Sequence, residues 1–213
     1  MNTKLQSIFV SIMEGDQTDV ENGVHDALEE GVSPVQILNE AMISAMQKVG
    51  KKYERGEFFV PEMLVAARAM KGGLEILRPL LREADVKPAG KIVIGTVQGD
   101  LHDIGKNLVA MMLEGAGFEI YDLGTDVPSE KFVQSIQANS ADLVGLSALL
   151  TTTMTNMKGT INAIEVAGLH DKVKIIVGGA PVTEAFAKQI GADGYAPDAS
   201  RAVTVAKSLL TKQ

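Results

Sequence analysis

The hydrophobic period changes once along this chain, at Lys91, and that change decides the architecture. Before it, apolar residues recur at helical spacing; after it, short β-branched runs alternate with helical stretches. Leu5, Ile8, Phe9 and Ile12 share one helical face, which Gly15 closes. Val20, Val24, Ala27 and Leu28 form the next face, ending at Gly31. Ser33-Pro34 reads as an N-cap followed by proline at the first helical position, and a face through Val35, Leu38, Met42, Met46 and Val49 follows it. Pro61 opens a further helix with Met63, Leu64, Ala67, Met70, Leu74 and Leu77 inside. Four helices with short connections predict a small antiparallel bundle over residues 1–86. The polar stretch 82–90, with Pro88 and Gly90, reads as a linker.

Strands are expected at 91–97, 118–123, 143–147 and 173–177, with a short one near Gly194-Tyr195. Helices are expected at 103–116, 129–139, 153–168, 182–191 and 199–211. This alternation predicts a doubly wound, five-stranded parallel sheet of Rossmann or flavodoxin type over residues 87–213. Such sheets bind ligands outside the carboxyl ends of their strands, so function is sought in the loops that follow each strand.

Composition narrows the chemistry. The 213 residues are 46% hydrophobic and 22% charged, enough apolar material for two small cores. There is no cysteine, which excludes disulfides, cysteine-held zinc or iron–sulfur clusters, and thiol catalysis. The net charge of −7 argues against a nucleic-acid partner held through phosphates. No run approaches the roughly 18 apolar residues of a membrane span. Met1-Asn2-Thr3-Lys4 turns amphipathic at once and lacks a signal-peptide core, so a cytoplasmic protein without a membrane partner is expected. Aromatics are only 4% and tryptophan is absent, so a flat ligand would be gripped by backbone and aliphatic groups.

The loop after the first strand carries Gly99-Asp100-Leu101-His102-Asp103-Ile104-Gly105-Lys106-Asn107. A phosphate-cradling loop fails on spacing: five residues separate Gly99 from Gly105 where four are needed, and Asn107 replaces the magnesium-binding Ser or Thr. An Asp-x-His pair remains. Either Asp100 or Asp103 caps the following helix and His102 is incidental, or His102 is a metal ligand whose second nitrogen a carboxylate holds. One histidine without chelating companions suits a bare zinc ion poorly. It suits a metal that arrives in a macrocycle and needs one axial ligand.

Asp100-x-His102-x-x-Gly105 resembles the signature of base-off cobalamin-binding domains. Ser147-Ala148-Leu149 follows after 41 residues (106–146), and Gly178-Gly179 after a further 28 (150–177). Both gaps match that family, and both elements stand on strand-end loops. The preceding bundle resembles the cap module of methionine synthase and of the corrinoid methyl-carrier proteins, so the resemblance covers nearly the whole chain.

The resemblance implies that His102 replaces the cofactor's own base on cobalt and that Asp100 holds the histidine's other nitrogen. Thr153 stands where methionine synthase has a serine that completes this relay. Asp103 and Ile104 lie inside the motif, and Gly105, Gly178 and Gly179 would admit the displaced nucleotide tail. Ser147 and Thr151 offer it hydroxyls, and Leu149 completes Ser-x-Leu. Tyr195, Asp198 and Ala199 lie in a segment similar to the one that closes over the tail. For Gly178-Gly179 an ordinary strand-to-helix turn is the alternative, and for Ser147 a helix cap. Phe59, Met63, Ala67 and Met70 are candidates for the upper corrin face, with plain bundle core as the alternative.

The implied function is a corrinoid protein carrying a methyl group on cobalt between methyltransferases, not catalytic alone. One partner delivers the methyl group from a substrate, and a second passes it to a thiol or a folate. A reductive activator is also implied. The cap must move to expose the cobalt, so the linker is expected to act as a hinge. The alternatives are a cobalamin-dependent sensor, the small subunit of a cobalamin mutase, and a receiver-like module without a cofactor. The absence of tryptophan weighs against a light sensor, and a mutase subunit has no need of the bundle.

Overall fold

The computed structural model describes residues 3–211, so Met1 and Asn2 of the N-terminal reading lie outside the described residues. The chain divides into two compact units. One is the chain up to Lys87 together with Glu114–Gly117; the other is Pro88–Leu113 and Phe118 onward.

The first unit is helical. Helix α1 (Thr3–Glu14) is followed by α2 (Gln17–Glu29), whose N-terminus is capped by Asp16 accepting from the Asp19 amide at 3.0 Å. Ser33 caps α3 (Pro34–Gln36) in the same way, through the Gln36 amide at 3.2 Å. The expected continuous third helix is then interrupted: Ile37–Ile43 is π-helical, and α4 (Ser44–Glu54) resumes regular winding. The wider turn rotates the face. Ile37, Ala41 and Met42 are buried in line with Ala45, Met46 and Val49, while the expected Val35 and Leu38 are only half-buried. The Ser44 hydroxyl donates to the Asn39 carbonyl five residues back, at 2.9 Å. Helix α5 (Val60–Glu83) starts one residue before Pro61 and runs into the expected linker, because Leu77 and Leu81 still have core to fill. Its Gly73 faces α2 so closely that a Cβ would lie 2.8 Å from Val20 Cγ1.

The second unit is a five-stranded parallel sheet. Strands β1 (Lys91–Thr96), β2 (Glu119–Asp122), β3 (Leu143–Ser147), β4 (Lys174–Gly178) and β5 (Gly194–Ala196) lie in the order β2-β1-β3-β4-β5. Helices α6 (Ile104–Gly115), α7 (Ser129–Asn139), α8 (Thr155–Val166), α9 (Glu184–Ile190) and α10 (Ala199–Leu210) alternate with them. This is the doubly wound flavodoxin-like arrangement expected from the alternation. Val93, Val144, Ile175 and Val177 are fully buried at or near 0% exposure, as strands covered on both faces require. Phe132 of α7 is fully buried against β1, where a Cβ on Gly95 would come within 2.8 Å of its ring. The strand order reverses between β1 and β3, the crevice where such sheets place ligands. Register aligns Thr96 with Ser147, Ser147 with Gly178 and Gly178 with Ala196, so the expected motifs end in one row. Among the described residues, no helix is long and apolar enough to cross a membrane.

Candidate functional site

The loop leaving β1 turns sharply at Gly99 (φ +81°), with the Asp100 amide donating to the Val97 carbonyl at 3.2 Å. This turn sends the Asp100 side chain inward, where it is fully buried. Its Oδ1 accepts from the His102 amide at 3.0 Å and stands 2.7 Å from His102 Nδ1. Its Oδ2 accepts from the Leu149 amide at 2.7 Å, the Leu150 amide at 3.3 Å and the Thr153 hydroxyl at 2.7 Å. Asp100 is therefore no helix cap; it joins the β1 loop to the β3 loop. The Thr96 hydroxyl holds the His102 carbonyl at 2.9 Å and fixes the histidine backbone.

Burial alone would raise the Asp100 pKa. Hydrogen bonds from Thr153, the Leu149 amide, the His102 amide and the His102 ring outweigh it and hold the carboxyl well below the usual carboxylate range. Asp100 is then an acceptor only, so the His102 proton belongs on Nδ1 and Nε2 keeps its lone pair. The His102 side chain is 51% exposed. A buried carboxylate thus sets the tautomer of an exposed imidazole. Among the described residues, no three His, Asp or Glu side chains gather to chelate a metal ion.

Large aliphatic side chains surround this imidazole in sequence. Leu101 and Ile104 are 73% and 79% exposed, and Leu149 and Leu150 are both 42% exposed. All four come from the two loops that Asp100 joins. They leave apolar surface exposed on the two loops that carry and support the histidine, the kind of surface a flat macrocycle needs when its metal takes one protein ligand.

The glycines separate into two kinds. A Cβ on Gly179 (φ +129°) would lie 1.9 Å from the Ala148 carbonyl oxygen, and one on Gly178 would lie 2.9 Å from that of Ala196. Packing of the strand ends already demands both. A Cβ on Gly105 would meet no protein atom within 4 Å. A side chain there would project into open space in the first turn of α6, beside the histidine loop. The backbone there is open, as at Gly31, Gly56, Gly124, Gly159, Gly168 and Gly191, and it leaves room for a bound group to pass close by.

The remaining expected residues are placed as follows. Ser147 ends β3 and is half-buried; Thr151 is exposed; Thr153 is buried against Asp100. Asp103 precedes α6 and accepts from Asn107 Nδ2 at 3.0 Å. Tyr195 is half-buried on β5, and Asp198 caps α10 by accepting from the Arg201 amide at 2.9 Å, with Ala199 buried behind it. In the helical unit, Met63, Ala67 and Met70 are buried in the core, whereas Phe59 is 64% exposed at the start of α5.

Several site residues escaped the sequence reading. Leu101 and Leu150 lie inside or beside the motifs and carried an apolar signal. Asp126 and Asn156, which hydrogen-bond the β1 loop, come from segments 27 and 58 residues away in the bonds they make and carried none. Lys106 is buried, with Nζ 2.5 Å from Asp122 Oδ2 and 2.6 Å from Asn107 Oδ1.

Two family models, each described as a B12 binding domain, match residues 90–204 and residues 5–78. The chain is 46% identical over 180 residues to a dimethylamine corrinoid protein of Methanosarcina barkeri, covering 84% of each chain. It is 43% identical over 202 residues to a trimethylamine corrinoid protein of Methanosarcina acetivorans, covering 94% of this chain and 93% of that one. Among solved structures it is similar to a chain of the methanol:cobalamin methyltransferase complex MtaBC from Methanosarcina barkeri. The TM-score is 0.88 at 30% identity, over 100% of this chain and 81% of that chain.

Proposed function

Because this chain belongs to the B12-binding corrinoid proteins, we propose that it carries a methyl group on cobalamin between partner methyltransferases. The observation that carries the reading is the buried Asp100 carboxylate 2.7 Å from Nδ1 of the exposed His102. Cobalamin, when bound, supplies a cobalt that accepts and gives up the methyl group; the protein supplies ligation, orientation and shielding.

His102 would hold the cobalt through Nε2. Asp100 keeps the Nδ1 proton in place, and Thr153 donates to the far carboxylate oxygen at 2.7 Å. Such a partner strengthens a metal-bound imidazole and fixes its ring plane. With or without a metal on Nε2, the Asp100 bond to Nδ1 would keep the ring in place. Leu101, Ile104, Leu149 and Leu150 would seat the macrocycle and keep water from the histidine side. Gly105 leaves room for the cofactor's tail beside α6, with Ser147, Thr151, Tyr195, Asp198 and Ala199 at the strand ends along the row it would follow. The helical domain, 1–86, is read as the cap and 87–213 as the binder.

The methyl donor class is a methylamine. Relatives covering most of this chain are named dimethylamine and trimethylamine corrinoid proteins, at 46% and 43% identity. The structural likeness to a methyltransferase complex at TM-score 0.88 supports a methyltransferase as docking partner. A second methyltransferase would take the methyl group onward to a thiol or folate, and a reductive activator would rescue oxidised cobalt.

Reconstitution with hydroxocobalamin tests the reading. Gel filtration should return protein and chromophore together with a visible spectrum unlike that of the free cofactor. A colourless protein peak would overturn it. Methyl transfer from dimethylamine or trimethylamine in the presence of the cognate methyltransferase tests the donor class, with methanol as the contrasting substrate.

A further inference from the structure

The Gln98-Gly99-Asp100 turn is held from two sides by side chains that ligation itself does not use. Asp126, on the loop between β2 and α7, accepts the Gly99 amide on Oδ1 at 2.7 Å. Its own amide donates to the Asp100 carbonyl at 2.9 Å, so Asp126 accepts from one residue of the turn and donates to the next. From the other side, Asn156 in the first turn of α8 donates its Nδ2–H to the Gln98 carbonyl at 2.7 Å. Three consecutive residues are thereby fastened to two elements remote in sequence.

Neither side chain is needed to satisfy the Gln98 carbonyl and the Gly99 amide, since Asp126, Asn156, Gln98 and Gly99 are all exposed and water would serve. Direct bonding costs side-chain freedom and fixes geometry in return. Asp126 also holds φ at +52°, a left-handed conformation that an aspartate adopts at a cost. Strain of this kind persists where the surrounding structure over-determines it, and it concentrates at functional sites. Here the strained residue bonds the backbone of Asp100, whose carboxylate orients His102.

We infer that Asp126 and Asn156 are positioning residues for the axial histidine: they clamp the turn so that Asp100 presents the His102 ring in ligating orientation. This inference rests on the reading of His102 as the cobalt ligand. What separates it from a plain structural role is where the bonds fall: Asp126 and Asn156 hold the backbone of residues 98–100, the turn that carries the carboxylate bonded to the His102 ring.

The experiment uses the full chain grown on 15N-histidine, reconstituted with unlabelled hydroxocobalamin and reduced to cobalt(II), in which a histidine nitrogen splits the EPR signal into doublets and the cofactor's own nitrogen into triplets. The variants are Asp126→Gly, Asp126→Asn and Asn156→Ala. Asp126→Gly relieves the left-handed strain and keeps the amide bond to Asp100, but removes the carboxylate. Asp126→Asn keeps an acceptor for the Gly99 amide. Asp126→Gly and Asn156→Ala should bind cobalamin nearly as well as the unmodified protein, with the equilibrium for imidazole ligation lowered by about tenfold. Asp126→Asn should restore it. In the apoprotein, the Gly99 amide should exchange with solvent about tenfold faster in Asp126→Gly and near the normal rate in Asp126→Asn. Equal nitrogen splitting in all four proteins overturns the inference alone, as does a lower melting temperature with an unchanged ligated fraction. Unmodified protein that shows no histidine splitting overturns the axial-histidine reading and this inference with it.

Discussion

Oδ1 of Asp100 stands 2.7 Å from Nδ1 of His102, with the carboxylate wholly buried and the imidazole half exposed. The asymmetry is the working principle of the site. The buried partner cannot exchange its bonds for water, so it holds one ring nitrogen while the other faces outward.

Asp100→Ala should be strongly destabilising for a loop residue. It leaves the part-buried Leu149 and His102 amides without their acceptor, while the Thr153 hydroxyl keeps only the Leu150 carbonyl. Unsatisfied buried donors cost about 1–3 kcal/mol each, so a loss of about 2–4 kcal/mol is expected in urea unfolding of the apoprotein. Asp100→Asn retains the shape but presents an amide to donors on at least one side, and should fall between the two.

The acid limb of the stability curve follows from the same carboxylate. Its folded pKa lies below the ordinary value because four hydrogen bonds outweigh its burial. Its contribution is therefore fully present above the unfolded value of about 3.9 and is lost as pH falls through the lower folded value. Apoprotein stability measured from pH 6 downward should decline less steeply in Asp100→Asn than in the unmodified chain. Parallel curves would show that Asp100 is not the group responsible.

Thr153 separates hydroxyl from methyl. Thr153→Val keeps the shape but removes the donor to Asp100, and should cost about 1–2 kcal/mol of apoprotein stability and weaken imidazole ligation. Thr153→Ser retains the donor. If the hydroxyl is what matters, ligation in the serine variant should match that of the unmodified protein, as read from the cobalt(II) spectrum.

Two glycines of the motif should respond in opposite ways. Gly179→Ala places a Cβ 1.9 Å from the Ala148 carbonyl oxygen at a φ of +129°, and should destabilise the apoprotein by more than about 1 kcal/mol. Gly105→Ala meets no atom within 4 Å and lies in a helix, so the apoprotein should gain about 0.5–1 kcal/mol. Gly105→Leu should still fold, yet fail to retain cobalamin on gel filtration. Tight binding by Gly105→Leu would place the cofactor's tail elsewhere.

Much of this arrangement was legible before any coordinates, for identifiable reasons. The sheet was readable because strands buried on both faces are continuous apolar runs, as in Ile92-Val93-Ile94 and Ile175-Ile176-Val177. The Asp100–His102 pair was readable because the two residues are neighbours, and Thr153 because its motif spacing is preserved. The π-helical turn at Ile37–Ile43 was not, since a single extra residue per turn rotates the buried face without changing composition. Nor was the clamp by Asp126 and Asn156, because hydrogen bonds between sequence-distant polar residues leave no periodic trace. The reason for each glycine was also hidden. Gly105 and Gly179 look alike in sequence, and only the surrounding atoms distinguish a demand of the fold from room for a ligand.

The central claim is that His102, and not the cofactor's own base, is the lower ligand of cobalt. Protein grown on 15N-histidine, loaded with unlabelled cobalamin and reduced to cobalt(II), tests it directly by EPR. The account predicts that each superhyperfine triplet of the unlabelled protein becomes a doublet, and that the splitting disappears in His102→Ala. A triplet unchanged by the label would assign the nitrogen to the cofactor and contradict the account.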